Sequence, residues 1–171
     1  MKKHLLTAVL IAFAGAFASA QKYAFVDTDY ILNNIPSYKA AQTKLDELSK
    51  TWQKEVEDLR AEVEKLYKDY QAEKVLLTDE MKQRKEQTIM EKEKQVRDLQ
   101  KTYFGNEGKL FEKRQELIKP IQDEIYKAIK DMAEKGGFAV IFDTAAGMNM
   151  LYTDPKYDKS DEILEIMGYK N

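Results

Sequence analysis

The chain of 171 residues has no cysteine, and its one histidine, His4, lies in the opening segment. Without thiols there is no disulfide staple, no cysteine nucleophile and no Cys/His zinc centre. Beyond residue 20 there is no imidazole either, which removes the usual general base near neutral pH. Serine in that stretch is confined to Ser37, Ser49 and Ser160, none of them in a G-x-S-x-G turn. The reading is a protein that is not an enzyme and needs no cofactor or metal. Asp27, Asp29 and Asp143 lack the loop spacing of a calcium site and read instead as strand-end turn and helix-capping residues.

Chain breakers are scarce too. Seven glycines and three prolines are about half of average usage, and none lies in the 68 residues between Pro36 and Gly105. A sandwich, barrel or doubly wound sheet needs more turns than this. Disorder is excluded on other grounds, because 43% of the residues are hydrophobic and 11% aromatic, enough to support burial. One long apolar run exists, Leu5 to Ala18, shorter than the roughly 20 residues of a membrane-spanning helix. Lys2 and Lys3 precede it and Ala18-Ser19-Ala20 closes it, so residues 1–20 read as an export signal cleaved after Ala20. Its removal takes away two lysines and leaves 26 basic and 30 acidic groups, a net charge of −4. A nucleic-acid partner is therefore not expected.

What is abundant is charge, 34% of the chain against about a quarter in ordinary domains. It is interleaved with apolar residues at helical spacing. Tyr38, Ala41, Leu45, Leu48, Trp52, Val56, Leu59, Val63, Leu66 and Tyr70 form one stripe at steps of three and four, with two successive fours at Leu48, Trp52 and Val56. Thr78-Asp79-Glu80 is suited to open a new helix. Met81, Ile89, Val96, Leu99, Tyr103, Leu110, Arg114, Leu117, Ile121, Ile125, Ala128 and Met132 form a second stripe, which stops at Gly136-Gly137. With a reversal near residues 76–79, Leu66 faces Met90, Leu59 faces Val96 and Trp52 faces Phe104, so the stripes match as an antiparallel hairpin. Pro120 marks a bend in the returning helix.

The remainder reads as a small body: a strand at Tyr23–Asp27, a second at Phe138–Asp143, a third at Met148–Tyr152 and a short helix opened by Ser160 and closed by Gly168. The fold class is α+β, mainly α. Residues 21–36 give the first strand of the body, 37–119 the long coiled-coil hairpin arm, and 120–171 the rest of the body. Phe25, Val26, Phe138, Val140, Ile141, Phe142, Met148, Met150 and Leu151 are its expected core. That body is small for two long levers, so the core is expected to be shared between subunits.

In order along the chain stand the signal, Phe25-Val26-Asp27, two arms of roughly forty residues, Leu117-Ile118-Lys119-Pro120-Ile121, Gly136-Gly-Phe-Ala-Val-Ile-Phe-Asp143, Leu151-Tyr152 and Asp161-Glu162-Ile163-Leu164. This layout resembles the Skp/OmpH family of periplasmic chaperones over essentially all of the mature chain. The resemblance implies a homotrimer whose strands form a barrel-like body and whose three hairpins surround a cavity. It implies that unfolded outer-membrane proteins are held there without ATP, in the periplasm. It leaves transient contact with membrane lipid open.

The distal arm carries side chains suited to weak, shape-tolerant binding: Tyr67, Tyr70, Leu76, Leu77, Met81 and Met90, with Arg84 and Lys85 beside them. The tyrosines and methionines have a second reading, as seam or surface residues of the hairpin. Lys82 to Thr88 is polar, which leaves the tip little apolar seam. A different class of function, a structural envelope protein serving as spacer or adaptor, calls for an apolar seam continuing to the tip.

Overall fold

The structure is a computed structural model and describes residues 22–145, 147 and 150–169. The signal segment and its cleavage site, as well as Met148, lie outside the described residues. The elements are β1 (Lys22–Val26), α1 (Thr28–Asn34), α2 (Pro36–Glu73), α3 (Asp79–Phe104), α4 (Lys109–Gly136), β2 (Phe138–Asp143) and α5 (Ser160–Ile166), with 3-10 turns at Lys74–Leu76 and Pro155–Tyr157. The chain divides into two compact units: residues up to Asn34 with Glu124 onward, and Ile35–Asp123.

In the first unit β1 and β2 run parallel, with Phe25 opposite Phe142 and Val26 opposite Asp143. The Phe25 and Phe142 rings stack at 5.6 Å. A parallel pair requires a long crossover, and the helical part of the chain supplies it. The other edge of β1 is met by the C-terminal segment, where Lys159 N–H donates to the Phe25 carbonyl at 2.8 Å. The outer edge of β2 pairs with no strand among the described residues. Of the expected third strand, the described residues Met150, Leu151 and Tyr152 are irregular, and Leu151 is fully exposed. β-propensity alone does not hold a strand without a partner to pack on.

Carboxylates fasten the strand ends. Asp27 Oδ1 accepts from Tyr30 N–H at 2.8 Å and so caps α1, a helix the sequence reading did not anticipate. Asp143 accepts from the Thr28 backbone N–H and, at 2.7 Å, from its hydroxyl. Ser160 is buried; its hydroxyl accepts from Asp27 N–H at 2.8 Å and donates to Asp158 at 2.7 Å. Ala24, Val26, Ile31, Leu32, Ile163 and Leu164 are buried in this unit. α4 ends at the double glycine, where Gly137 has φ +67 and takes the left-handed turn that side-chain-bearing residues disfavour.

The second unit is the hairpin. Pro36 occupies the first turn of α2, where its missing N–H costs nothing. Thirty-eight residues make that helix about 57 Å long. Every member of the first stripe is buried or half-buried. In the second stripe Met81 and Arg114 are exposed, while the other members are buried or half-buried. The antiparallel register is close to the expected one: Trp52 stacks on Tyr103 at 5.1 Å, one residue from Phe104. Where the register sets Met90 opposite Leu66, Met90 is 66% exposed and Ile89 holds the buried place. Val56, Val96 and Tyr103 are the centre of this seam, with Trp52, Leu59, Val63 and Leu99 packed around it.

The returning helix is not continuous. It breaks between Phe104 and Lys109, and the break is tightly built: a Cβ on Gly108 would lie 2.9 Å from the carbonyl oxygens of Thr102 and Tyr103. Glycine at 105 and 108 here allows close backbone approach. Pro120 is accommodated inside α4.

Candidate functional site

The distal part of the hairpin combines exposed apolar side chains with polar closure. The 3-10 turn after α2 turns Val75 and Leu76 outward, leaving them 93% and 86% exposed, and Leu77 half-buried. Thr78 then caps α3, its hydroxyl accepting from Met81 N–H at 3.3 Å. Met81, Met90 and Tyr67 are each about half exposed or more. Tyr67 rims a groove of about 580 Å³ between α2 and α3, floored by Val63 and Val96 and flanked by Arg60 and Arg97.

Tyr70, one of the expected contact residues, behaves differently. It is 4% exposed, and its hydroxyl donates to Glu86 across the seam. Arg84 and Lys85 are engaged within the hairpin, Arg84 with Glu80 at 2.6 Å and Lys85 with Glu73 at 2.8 Å. Lys82 pairs with Asp79 at 3.2 Å. Between Glu73 and Glu86 four basic and four acidic side chains cancel, so the tip offers apolar surface without net charge. Val75, the most exposed of the three apolar tip residues, was not singled out by sequence reasoning, although its place in the Val75-Leu76-Leu77 triplet was a usable signal.

In the body, Val26 is buried; Phe25, Phe138, Ile141, Phe142 and Met150 are half-buried; Val140 is 47% exposed and Leu151 fully so. Within a single chain, then, Val140 and Leu151 are not covered, and the expected shared core is left to contacts between subunits. Those residues contain no cluster of three or more side chains able to hold a metal, and no helix among them is long and apolar enough to cross a membrane.

Two tyrosines report on the seam. The hydrogen bond to Glu86, reinforced by burial and the carboxylate's charge, pushes the Tyr70 phenol up to about 12. A bond to Glu55 raises Tyr103 in the same direction. A phenol raised in the folded state contributes stability that is whole below its unfolded pKa and lost as pH climbs through the folded value. Alkaline titration of phenolate absorbance is therefore expected to show late-ionising tyrosines, with the seam loosening as pH approaches 12. Tyr70→Phe should delete the latest phase and Glu86→Gln should bring it down. An unaltered late phase in Tyr70→Phe would place that hydroxyl outside the seam.

Comparison with known proteins agrees with this architecture. A chaperone protein Skp from Yersinia enterocolitica is 30% identical over 176 aligned positions, covering 96% of this chain and 98% of that protein. One from Vibrio cholerae is 26% identical over 89% of this chain and 86% of its own length. An uncharacterized protein of Aquifex aeolicus is 28% identical, with 96% and 95% covered. A crystal structure of an OmpH-like chain from Caulobacter crescentus superposes with a TM-score of 0.67 at 13% identity, covering 86% of this chain and 83% of that one. Residues 22–167 match the model of the family described as outer membrane protein (OmpH-like), and with the parallel β-pair, the hairpin and relatives matched nearly end to end, the chain belongs to that family.

Proposed function

We propose that the mature chain is an ATP-independent holdase chaperone of the periplasm, assembled as a homotrimer, which holds unfolded outer-membrane proteins between its helical arms and prevents their aggregation. The observation that carries this reading is the distal hairpin, where Val75 and Leu76 stand 93% and 86% exposed and Tyr67, Met81 and Met90 accompany them. A chain destined for a membrane barrel exposes alternating apolar side chains. A surface that must hold many such chains without demanding one shape is served by flexible thioethers and amphipathic phenols. The chaperone names of the Yersinia and Vibrio relatives support the same reading.

In this assignment Tyr67, Leu76, Leu77, Met81 and Met90 contact client, joined by Val75, while Tyr70 closes the seam. Arg84 and Lys85 first have to exchange their internal partners. The cancelling charge of the tip lends no support to docking on anionic lipid. A spacer or adaptor would be better served by an apolar seam running to the tip, and here the seam turns polar beyond Ile89.

The test is to dilute a urea-denatured outer-membrane protein into buffer containing residues 21–171 without nucleotide and to follow light scattering. Suppression at about one trimer per client is expected, the ratio enclosure implies. Undiminished scattering would reject the holdase reading.

A further inference from the structure

The seam between α2 and α3 changes chemistry along its length. Around Val56, Val96 and the Trp52–Tyr103 stack it is apolar. Toward the tip, Ile89 and Tyr70 are buried, 7% and 4% exposed, yet α3 offers no apolar residue from Lys82 to Thr88. Closure there comes from the Tyr70 hydroxyl on Glu86 and from Lys85 Nζ on Glu73 at 2.8 Å. The Lys85 and Glu73 side chains are 38% and 51% exposed, so their attraction is weak and screened by salt. The Lys74 ammonium lies 5.6 Å from the Tyr70 ring centroid. Polar pairs and a cation thus border a buried aromatic ring and a buried aliphatic side chain in this stretch.

We propose that this distal seam is a latent binding surface: when the Tyr70–Glu86 and Glu73–Lys85 contacts part, α2 and α3 separate locally and present Leu66, Tyr70 and Ile89 to apolar side chains of an extended polypeptide. The inference rests on the holdase reading and adds a second surface to the exposed tip. Separation costs one screened ion pair, one charge-assisted hydrogen bond and the exposure of three side chains. An apolar segment lying between the helices restores that burial, which is the differential free energy needed to populate the open form. The seam around Val56 stays shut, since there the Tyr103–Glu55 and Lys92–Glu62 contacts add to a packed apolar cluster rather than standing in for one.

The absence of cysteine makes the test clean. In the full mature protein, Glu73→Cys with Lys85→Cys is bridged by a short bis-thiosulfonate linker that reductant removes. Glu62→Cys with Lys92→Cys, a pair now 3.0 Å apart beside the apolar seam, is bridged as the control. The distal bridge is expected to lower suppression of outer-membrane protein aggregation several-fold, the control bridge to leave it unchanged, and reductant to restore it. If the reduced protein does not suppress aggregation, the holdase reading fails. If the reduced and distally bridged proteins suppress it equally, the latent surface alone is overturned. Thiol labelling gives an independent readout: Ile89→Cys should react about tenfold faster than Val96→Cys and accelerate with salt, as a locally opening segment does. Equal, salt-independent rates would also overturn the proposal.

Discussion

Val140→Asp is expected to convert the assembled protein into monomers while leaving each chain folded. Val140 lies on β2 and is 47% exposed in the single chain, so a carboxylate there remains in water and costs the isolated body little. In the proposed trimer a neighbouring strand adds to the outer edge of β2, which pairs with no strand among the described residues, and its cross-strand side chains cover Val140. An unpaired buried charge costs several kcal/mol after relaxation, and symmetry repeats the cost at every interface. Sedimentation equilibrium should show a fall from three chains to one, with helical circular dichroism retained. Phe138→Asp and Ile141→Asp, at half-buried positions, should dissociate the protein as well but with some loss of body stability. Leu164→Asp is the contrast, since Leu164 is 1% exposed within the chain itself and its replacement should unfold the body. A Val140→Asp protein that keeps its full mass would remove the β2 edge from the subunit interface.

The hairpin was the most legible part of the sequence because its signal is repeated. Ten apolar positions from Tyr38 to Tyr70 leave one face for the seam, and all ten are buried or half-buried. A mirror point near Thr78 then fixes the facing partners to within a residue, as Trp52 on Tyr103 shows. The error at Met90 arose where two apolar residues, Ile89 and Met90, are adjacent and spacing alone does not choose between them. The break at residues 105–108 was hidden for the opposite reason. An isolated glycine is tolerated in a long helix at modest cost, and only the close approach of Gly108 to the Thr102 and Tyr103 carbonyls reveals that both glycines are used together.

The body was legible in its two principal strands and in the start and stop of its last helix. It was not legible where tertiary partners decide the outcome. Thr28–Asn34 is a helix because Asp27 caps it and Asp143 holds Thr28, and the second carboxylate is 116 residues away from Asp27 in the chain. Met150–Tyr152 has the composition of a strand but pairs with none among the described residues. For the candidate site, residue type identified the distal arm while geometry sorted its members: the Tyr70 ring is turned into the seam, and Val75 and Leu76 are turned out.

Val75→Ser combined with Leu76→Ser is expected to weaken client holding strongly without affecting assembly or folding. Both side chains are almost wholly exposed, 93% and 86%, so the folded chain loses no packing when they are shortened. The adjoining cap, Thr78 on Met81 N–H, is untouched. Complete burial of an aliphatic side chain is worth about 1.5–3 kcal/mol. Contact with an unfolded client is partial, so the pair together is worth about 2 kcal/mol per arm, or roughly thirtyfold in affinity. In the proposed trimer several arms grip one client, so the losses compound rather than average. Binding of a fluorescently labelled, urea-denatured outer-membrane protein should therefore fall by at least about thirtyfold, and its scattering on dilution should rise toward that of client alone. Mass and thermal unfolding should stay those of the parent protein. Asp79→Asn with Lys82→Gln removes an ion pair from the same tip whose members are not assigned to client, and such pairs contribute about 0–1 kcal/mol, so this variant should bind client nearly as well as the parent. If the serine variant holds client as tightly as the parent while the charge variant fails, the tip recognises clients through its charges and the apolar ridge is not the contact.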